Sequence, residues 1–255
     1  MNTLLDSNRK LQQKKENKKA LLKNLPAKFN SLELNSLNYE EALTFDKRNY
    51  LQYYISLLLT KHILLFSFIQ HNDYNSQIIK IYIFFLTFAI NFTISAMFYS
   101  DNTMNKIYND NGSFDFTYQL PQMLYSFLIS SVLKKILNYF GLYEENILKI
   151  KQCKDKEEKK NLIQKESRYI KIKIIIFFII TYIVLFFMWI YLGCFCAVYK
   201  KIQIHLLFDV LSSFGFSFIT PIFLNLFPGM LRIPSLRSKN KRPLMFKFSK
   251  LLQIF

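Results

Sequence analysis

The chain has 255 residues, a formal net charge of +17 and a composition that is half apolar, with 27 Phe and 16 Tyr against 5 Gly. Apolar residues collect in long blocks with the charge between them, which excludes an ordinary soluble domain and points to a chain solvated by a bilayer. The basic charge flanks those blocks instead of lining one folded face, which argues against a nucleic-acid partner, and three cysteines are too few for a secreted disulfide framework.

Residues 1–49 read as a basic cytosolic segment. Its first 30 residues alternate Lys-rich and Leu-containing stretches, either a loose amphipathic surface helix or a solvated tail, and 31–49 carry Glu33, Glu40, Glu41 and Asp46. No apolar core of a cleavable signal peptide is visible, so the first membrane helix would serve as its own targeting signal. Residues 50–77 are expected to hold an interfacial amphipathic helix and a lead-in. Tyr50–Ile69 is nearly long enough to cross. However, Lys61 and His62 would then lie near the bilayer centre, where a Lys costs about 2.5–3.5 kcal/mol. Gln52, Ser56 and Thr60 recur every four residues as a polar stripe, which suits a helix lying in the cytoplasmic interface plane.

Four transmembrane helices are expected over 78–227. Ile78–Tyr99 has one formal charge, Lys80, at its start, and a bilayer core about 30 Å thick needs roughly 20 helical residues. The second span, 117–137, is the most polar, interrupted by Gln119, Gln122, Ser126, Ser130 and Ser131. Pro121 falls in its first turn, and Lys134 and Lys135 near its end can reach the headgroups. Such a helix should face other helices more than lipid. Residues 138–173 form a charged cytosolic loop, plausibly helical. Span three, 174–199, is free of charge and carries Trp189, Tyr191 and Tyr199 towards one end; span four, 204–227, contains Asp209 and Pro221 and should stop at Pro228-Gly229. The remaining 228–255 form a basic, aromatic cytosolic tail. The fold class is therefore all-α: a polytopic membrane bundle of four transmembrane helices plus the interfacial helix.

Charge sets the orientation. With the N-terminus inside, only Lys106, Lys200 and Lys201 of the 34 Lys and Arg fall outside, which places both termini in the cytosol under the positive-inside rule. The membrane itself is a plasma membrane or an endomembrane. Anionic lipids are the expected partners of the basic segments, at about 1 kcal/mol per basic residue near the surface; protein partners in the membrane, or further copies of the chain, are the other possibility.

Asp209 is the one carboxylate within a span, and intramembrane ionisable groups are functional candidates by default. At about 1.5 Å per residue it lies only about 7–8 Å from the outer end of its helix. Asn91 sits at a comparable depth in span one, and His205 one turn above Asp209; either could hydrogen-bond it. A structural hydrogen bond, an ion or substrate role, and interface exposure all remain open for Asp209. Asn111-Gly112-Ser113 is an N-x-S glycosylation sequon in the outside loop 100–116. Pro221 should kink span four. Cys194 and Cys196 are two apart on a helix and point to different sides, so they share neither metal nor bond. No phosphate-binding loop, nucleophile elbow or metal-ligand spacing occurs, so no enzyme, metal or cofactor is expected.

Several stretches resemble an uncharacterised family of multi-pass membrane proteins of ciliated protozoa: NDYNSQIIKI (72–81), DNTMNKIY (101–108), YQLPQMLYS (118–126), CFCAVY (194–199), QIHL (203–206) and FPGMLRIPSL (227–236). The resemblance implies a membrane module that often closes a longer chain, with a basic residue just before the acid of span four; Phe208 stands there in this sequence. It implies architecture and no mechanism. The sequence therefore leads to an integral membrane protein acting as a non-enzymatic anchor or complex subunit, with a channel or transporter subunit that uses Asp209 as the alternative.

Overall fold

The computed structural model describes residues 29–70, 73–110, 115–153, 155–238 and 242–253. The basic tail 1–28 and the sequon residue Asn111 lie outside them, as do the expectations placed there. Every regular element among the described residues is helical.

Three short helices come first: α1 (Ser31–Ser36), α2 (Tyr39–Phe45) and α3 (Tyr50–Lys61). Each starts with a reciprocal capping box. The side chains of Asn30, Asn38 and Asn49 accept the backbone N–H of Glu33, Glu41 and Gln52, whose side chains accept the cap N–H in return. The expected single helix over 50–69 breaks at His62, whose extended backbone separates α3 from α4 (Ile63–Phe68). Tyr53 and Leu57 of α3 are buried against Ile233 rather than spread along a surface.

The bundle follows: α5 (Gln77–Met97), α6 (Asp101–Asn109), α7 (Phe116–Gly141), α8 (Glu144–Gln152), α9 (Lys156–Val198), a 3-10 turn at Lys200–Ile202, and α10 (Gln203–Leu224). Among the described residues, three helices are long and apolar enough to cross a membrane: α5, α9 and the stretch Lys200–Arg237 that contains α10. This associates the chain with a membrane. The expected second span, α7, is not among the three, since glutamines, serines and two lysines dilute its apolar residues. Asp115 caps α7 through Tyr118 N–H and starts it at Phe116. Pro121 therefore falls in the second turn, not the first, and leaves the Thr117 carbonyl without its helical donor.

At one end of the bundle, here called proximal, Ile79 and Ile83 of α5 pack with Leu137 and Phe140 of α7 and with Phe177 of α9. At the distal end, Ala96 and Tyr99 pack with Phe195 of α9 and with Ile202, Leu206 and Val210, under a lid formed by Met104 and Ile107 of α6. Since Phe98 also meets Tyr125, α7 runs antiparallel to α5 through the same layer. Its apolar face, Leu124, Leu128, Ile129, Val132 and Ile136, is exposed on the outside. Gly141 permits the close approach at the proximal end, where an added Cβ would lie 2.9 Å from Ile83 Cδ1 and 3.2 Å from the Phe177 ring.

The 43 residues of α9 extend about 65 Å, roughly twice a bilayer core. Phe177, Thr181 and Phe195 are its buried residues, and Trp189 is 80% exposed. Span four does not stop at Pro228-Gly229 as expected. The break comes earlier, at Asn225, and α11 (Leu226–Arg237) runs through both residues. Pro228 is third in that helix, where no N–H is needed. The chain then returns as α12 (Pro243–Leu252).

At the proximal end α11 and α12 pack against the N-terminal helices. Arg232 is fully buried. Its Nε and Nη2 donate to Asp46 Oδ2 at 3.0 and 2.9 Å, and Nη2 also donates to the Leu34 carbonyl at 2.7 Å. The guanidinium lies over the rings of Phe246 and Tyr53. Arg48 donates to the same carboxylate at 2.8 Å and reaches Ser56 and Asn35. A second knot joins this region to the bundle. Asn75 accepts the N–H groups of Tyr143 and Glu144 and donates to Glu144 at 3.1 Å, while Asn30 donates to the same carboxylate at 2.8 Å.

Candidate functional site

The polar residues of α5, α7 and α10 are arranged in stripes. Thr87, Asn91 and Ser95 recur every four residues on α5; Gln119, Gln122, Ser126 and Ser130 recur every three or four on α7; Asp209, Ser213 and Ser217 recur every four on α10. At these spacings each set occupies one helix face. All three faces turn inward, where most of these side chains are buried.

At the distal end the stripes meet at Asp209, which is 1% exposed. Tyr99 donates its hydroxyl to Asp209 Oδ2 at 2.5 Å, and Gln122 donates to the same oxygen at 3.2 Å. The second oxygen, Oδ1, is buried with no hydrogen-bond partner among the described residues, as are Gln119 Oε1, Ser95 Oγ and Ser126 Oγ. Buried oxygens of this kind normally take part in hydrogen bonds. Midway, Asn91 joins all three helices: Nδ2 donates to Ser213 at 2.7 Å and to the Val210 carbonyl at 3.3 Å, and Oδ1 accepts from Ser130 at 3.0 Å.

Proximal to that knot the three helices part around a cavity of about 440 Å³. Thr87, Asn91, Ser130 and Ser131 line its inner wall. Lys61, Lys134 and Lys135 line it further out, and no Asp or Glu is among its lining residues. Leu128, Lys135 and Leu224 line it while themselves exposed, so the cavity opens at the side of the bundle between α7 and α10. Pro221 is part of its wall, one turn before α10 ends. Burial and the charge of Lys135 bring Lys61 down to about 8. Burial, with the charge of Lys134, likewise lowers His62.

Of the residues singled out from sequence, Asp209 and Asn91 line the same interior face without pairing as expected, since Asn91 serves Ser130 and Ser213. His205 is buried one turn from Asp209. Asn111 lies outside the described residues. Cys194 is exposed, Cys196 is half-buried, and both are free thiols. The partners of Asp209, Tyr99 and Gln122, and the lysines of the cavity were not anticipated as a site. The three-four spacing of Gln119, Gln122, Ser126 and Ser130 was the available signal. Among the described residues no three His, Cys, Asp or Glu side chains converge as a metal site. No family model matches the chain, and neither a curated protein nor a solved structure is similar to it.

Proposed function

We propose that the chain is a four-span, non-enzymatic membrane protein that carries a polar solute or ion along the α5–α7–α10 interface, with Asp209 as its proton- or cation-binding group. The supporting observation is the continuity of the polar stripes from Asp209, through the Asn91 knot, to the side-open cavity. Buried polar atoms without partners are costly inside a bilayer, and a helix bundle needing only to stand there would fill these positions with apolar residues. The Tyr99–Asp209 contact closes the distal end while the cavity opens proximally, an arrangement suited to alternating access. In this reading α7 is the fourth crossing, because it spans the same layer as α5. Both termini are then cytosolic, in accord with the charge count. Purified protein reconstituted in vesicles tests the proposal: Asp209→Asn should lower proton, sodium or potassium flux at least tenfold. Wild-type vesicles no leakier than empty ones under all three gradients would overturn it.

A second reading, a membrane anchor or complex subunit, is favoured by α9. Its charged first turns, Lys156–Lys173, are largely exposed and joined to α8 by the Asn146–Glu166 hydrogen bond, and its apolar outer face is uncovered by any other helix among the described residues. Cysteines at Tyr182 and Phe187 that crosslink to a defined protein, or to a second copy, would support it.

A further inference from the structure

Two ammonium groups, those of Lys61 and Lys134, share one partly desolvated space with Lys135 at its exposed edge, and this concentration of positive charge favours an anion. Lys61, Lys134 and Lys135 come from two helices and meet at the proximal cavity, which has no carboxylate in its wall among the described residues. Lys61 donates to the Gln253 carbonyl, a neutral acceptor. Lys134 has neither an ion pair nor a hydrogen bond among the described residues. The lysines are also close enough to act on their surroundings, since Lys135 disfavours the charge on Lys61 and Lys134 that on His62. Like charges held together in low dielectric repel, and an arrangement that retains them is completed by an anion.

The remaining wall defines the anion further. Thr220 and the amide nitrogen of Asn138 line the same space and offer donors beside the lysines, whereas the hydroxyls of Ser131 and Thr60 already donate to the carbonyls of Phe127, Ser56 and Leu57. Multiple donors of this kind suit a tetrahedral oxyanion with several acceptor oxygens. Phe127, Leu128 and Leu224 form the apolar rim at the side opening. A volume of about 440 Å³ exceeds what an inorganic phosphate needs and lies within the range of small-molecule sites.

We propose that this cavity is a binding site for a phosphate-bearing anion, held by Lys61, Lys134 and Lys135. The anion is either the headgroup of a lipid entering from the side or a free phosphate compound entering from the water. Binding requires no flux, so the site stands or falls separately from the transport proposal.

Full-length protein in a neutral detergent would be titrated with inorganic phosphate and, separately, with dioctanoyl phosphatidic acid, with dioctanoylglycerol as the phosphate-free control. Saturable one-to-one binding of the phosphatidic acid, or of phosphate, with no binding of the glyceride is expected. Binding by phosphatidic acid alone identifies the lipid source, and binding by phosphate the aqueous one. Lys134→Gln should weaken binding about tenfold, the loss of one charge-assisted contact, and the Lys61→Gln/Lys134→Gln/Lys135→Gln variant should abolish it. Lys171→Gln, on the exposed part of α9, should leave it unchanged. Thermal melts would establish that the triple variant is folded; if it is not, Lys134→Gln alone decides. Absence of saturable binding by either phosphate probe, or equal binding after lysine removal, would overturn the proposal.

Discussion

Arg232 and Asp46 meet across 186 residues of chain, and two guanidinium nitrogens share a single carboxylate oxygen at 2.9 and 3.0 Å. The contact is buried, and Arg48 binds the same carboxylate from the other side. Removal of Asp46 strands the buried Arg232 charge, at a cost of about 3–5 kcal/mol, whereas removal of Arg232 leaves Asp46 paired with Arg48 but loses the buried contacts of the guanidinium. Arg232→Met should therefore strongly lower the unfolding temperature of the purified protein. The double variant with Asp46→Asn should lose less than the sum of the two, as coupled neighbours do.

The same carboxylate sets an acid limit. Burial alone would raise Asp46, but the guanidinium groups of Arg48 and Arg232 outweigh it and hold the carboxyl below its ordinary value of 3.8. Its stabilising contribution is therefore complete above about pH 4 and is lost as pH falls through the depressed value. Unfolding by acid, followed by circular dichroism, should begin at higher pH in Asp46→Asn than in the wild type.

Glu144 works in the opposite direction. Burial, with the charge of Asp73 next, lifts it to about 7, and the hydrogen bond from Asn30 only partly counters that. A carboxyl raised in the folded state favours folding at low pH, and its contribution falls as pH rises through about 7. Stability of the wild type should decline between pH 5 and 8 by more than that of Glu144→Gln, measured as melting temperature against pH.

Gly229 marks the closest approach of α11 to α3. A Cβ there would lie 2.9 Å from Tyr50 and 3.2 Å from Tyr53, whereas one at Gly215 would meet nothing within 4 Å. Gly229→Val should cost about 1–3 kcal/mol through overpacking. Gly215→Ala should be neutral or stabilising, because Ala favours helix over Gly by about 0.8–1.0 kcal/mol. Chemical denaturation of both variants compares them directly.

Asp209 should separate stability from activity. Tyr99→Phe removes one of its two hydrogen bonds at a cost of about 1–3 kcal/mol. Asp209→Asn removes the buried carboxylate itself, so its melting temperature should be the same or higher although flux is lost. A fall in both would identify the residue as structural.

Much of the architecture was legible in the sequence because apolar run length and charge distribution are strong, local signals. The runs that became α5 and α10 lie within a few residues of their expected limits, whereas α9 ends near its expected limit but begins at Lys156, well before the expected 174, because a charged stretch continues the helix beyond its apolar run. The proximal cap was not legible, since Asp46, Arg48 and Arg232 become partners only through tertiary contact, and α1 and α2 are too short to show a period. Their one local sign was the repeated Asn-x-x-Glu/Gln pattern at Asn30, Asn38 and Asn49, the capping boxes that start them. In the site, Asp209 stands out in the sequence as a lone intramembrane acid, but nothing in the sequence marks Tyr99 as its partner. From the sequence Lys134 and Lys135 are expected to reach the headgroups, because nothing in a single helix shows which neighbour stands beside it.

The pairing of Asp46 with Arg232 also orders events during synthesis. At about 5–20 residues per second, Asp46 would wait roughly ten to forty seconds before Arg232 leaves the ribosome. All the bundle helices emerge in that interval, while the surfaces of α1–α3 that later meet α11 stay bare. The proximal cap can thus form only after the bundle helices have emerged, and closing it joins distant segments of the chain around helices already made.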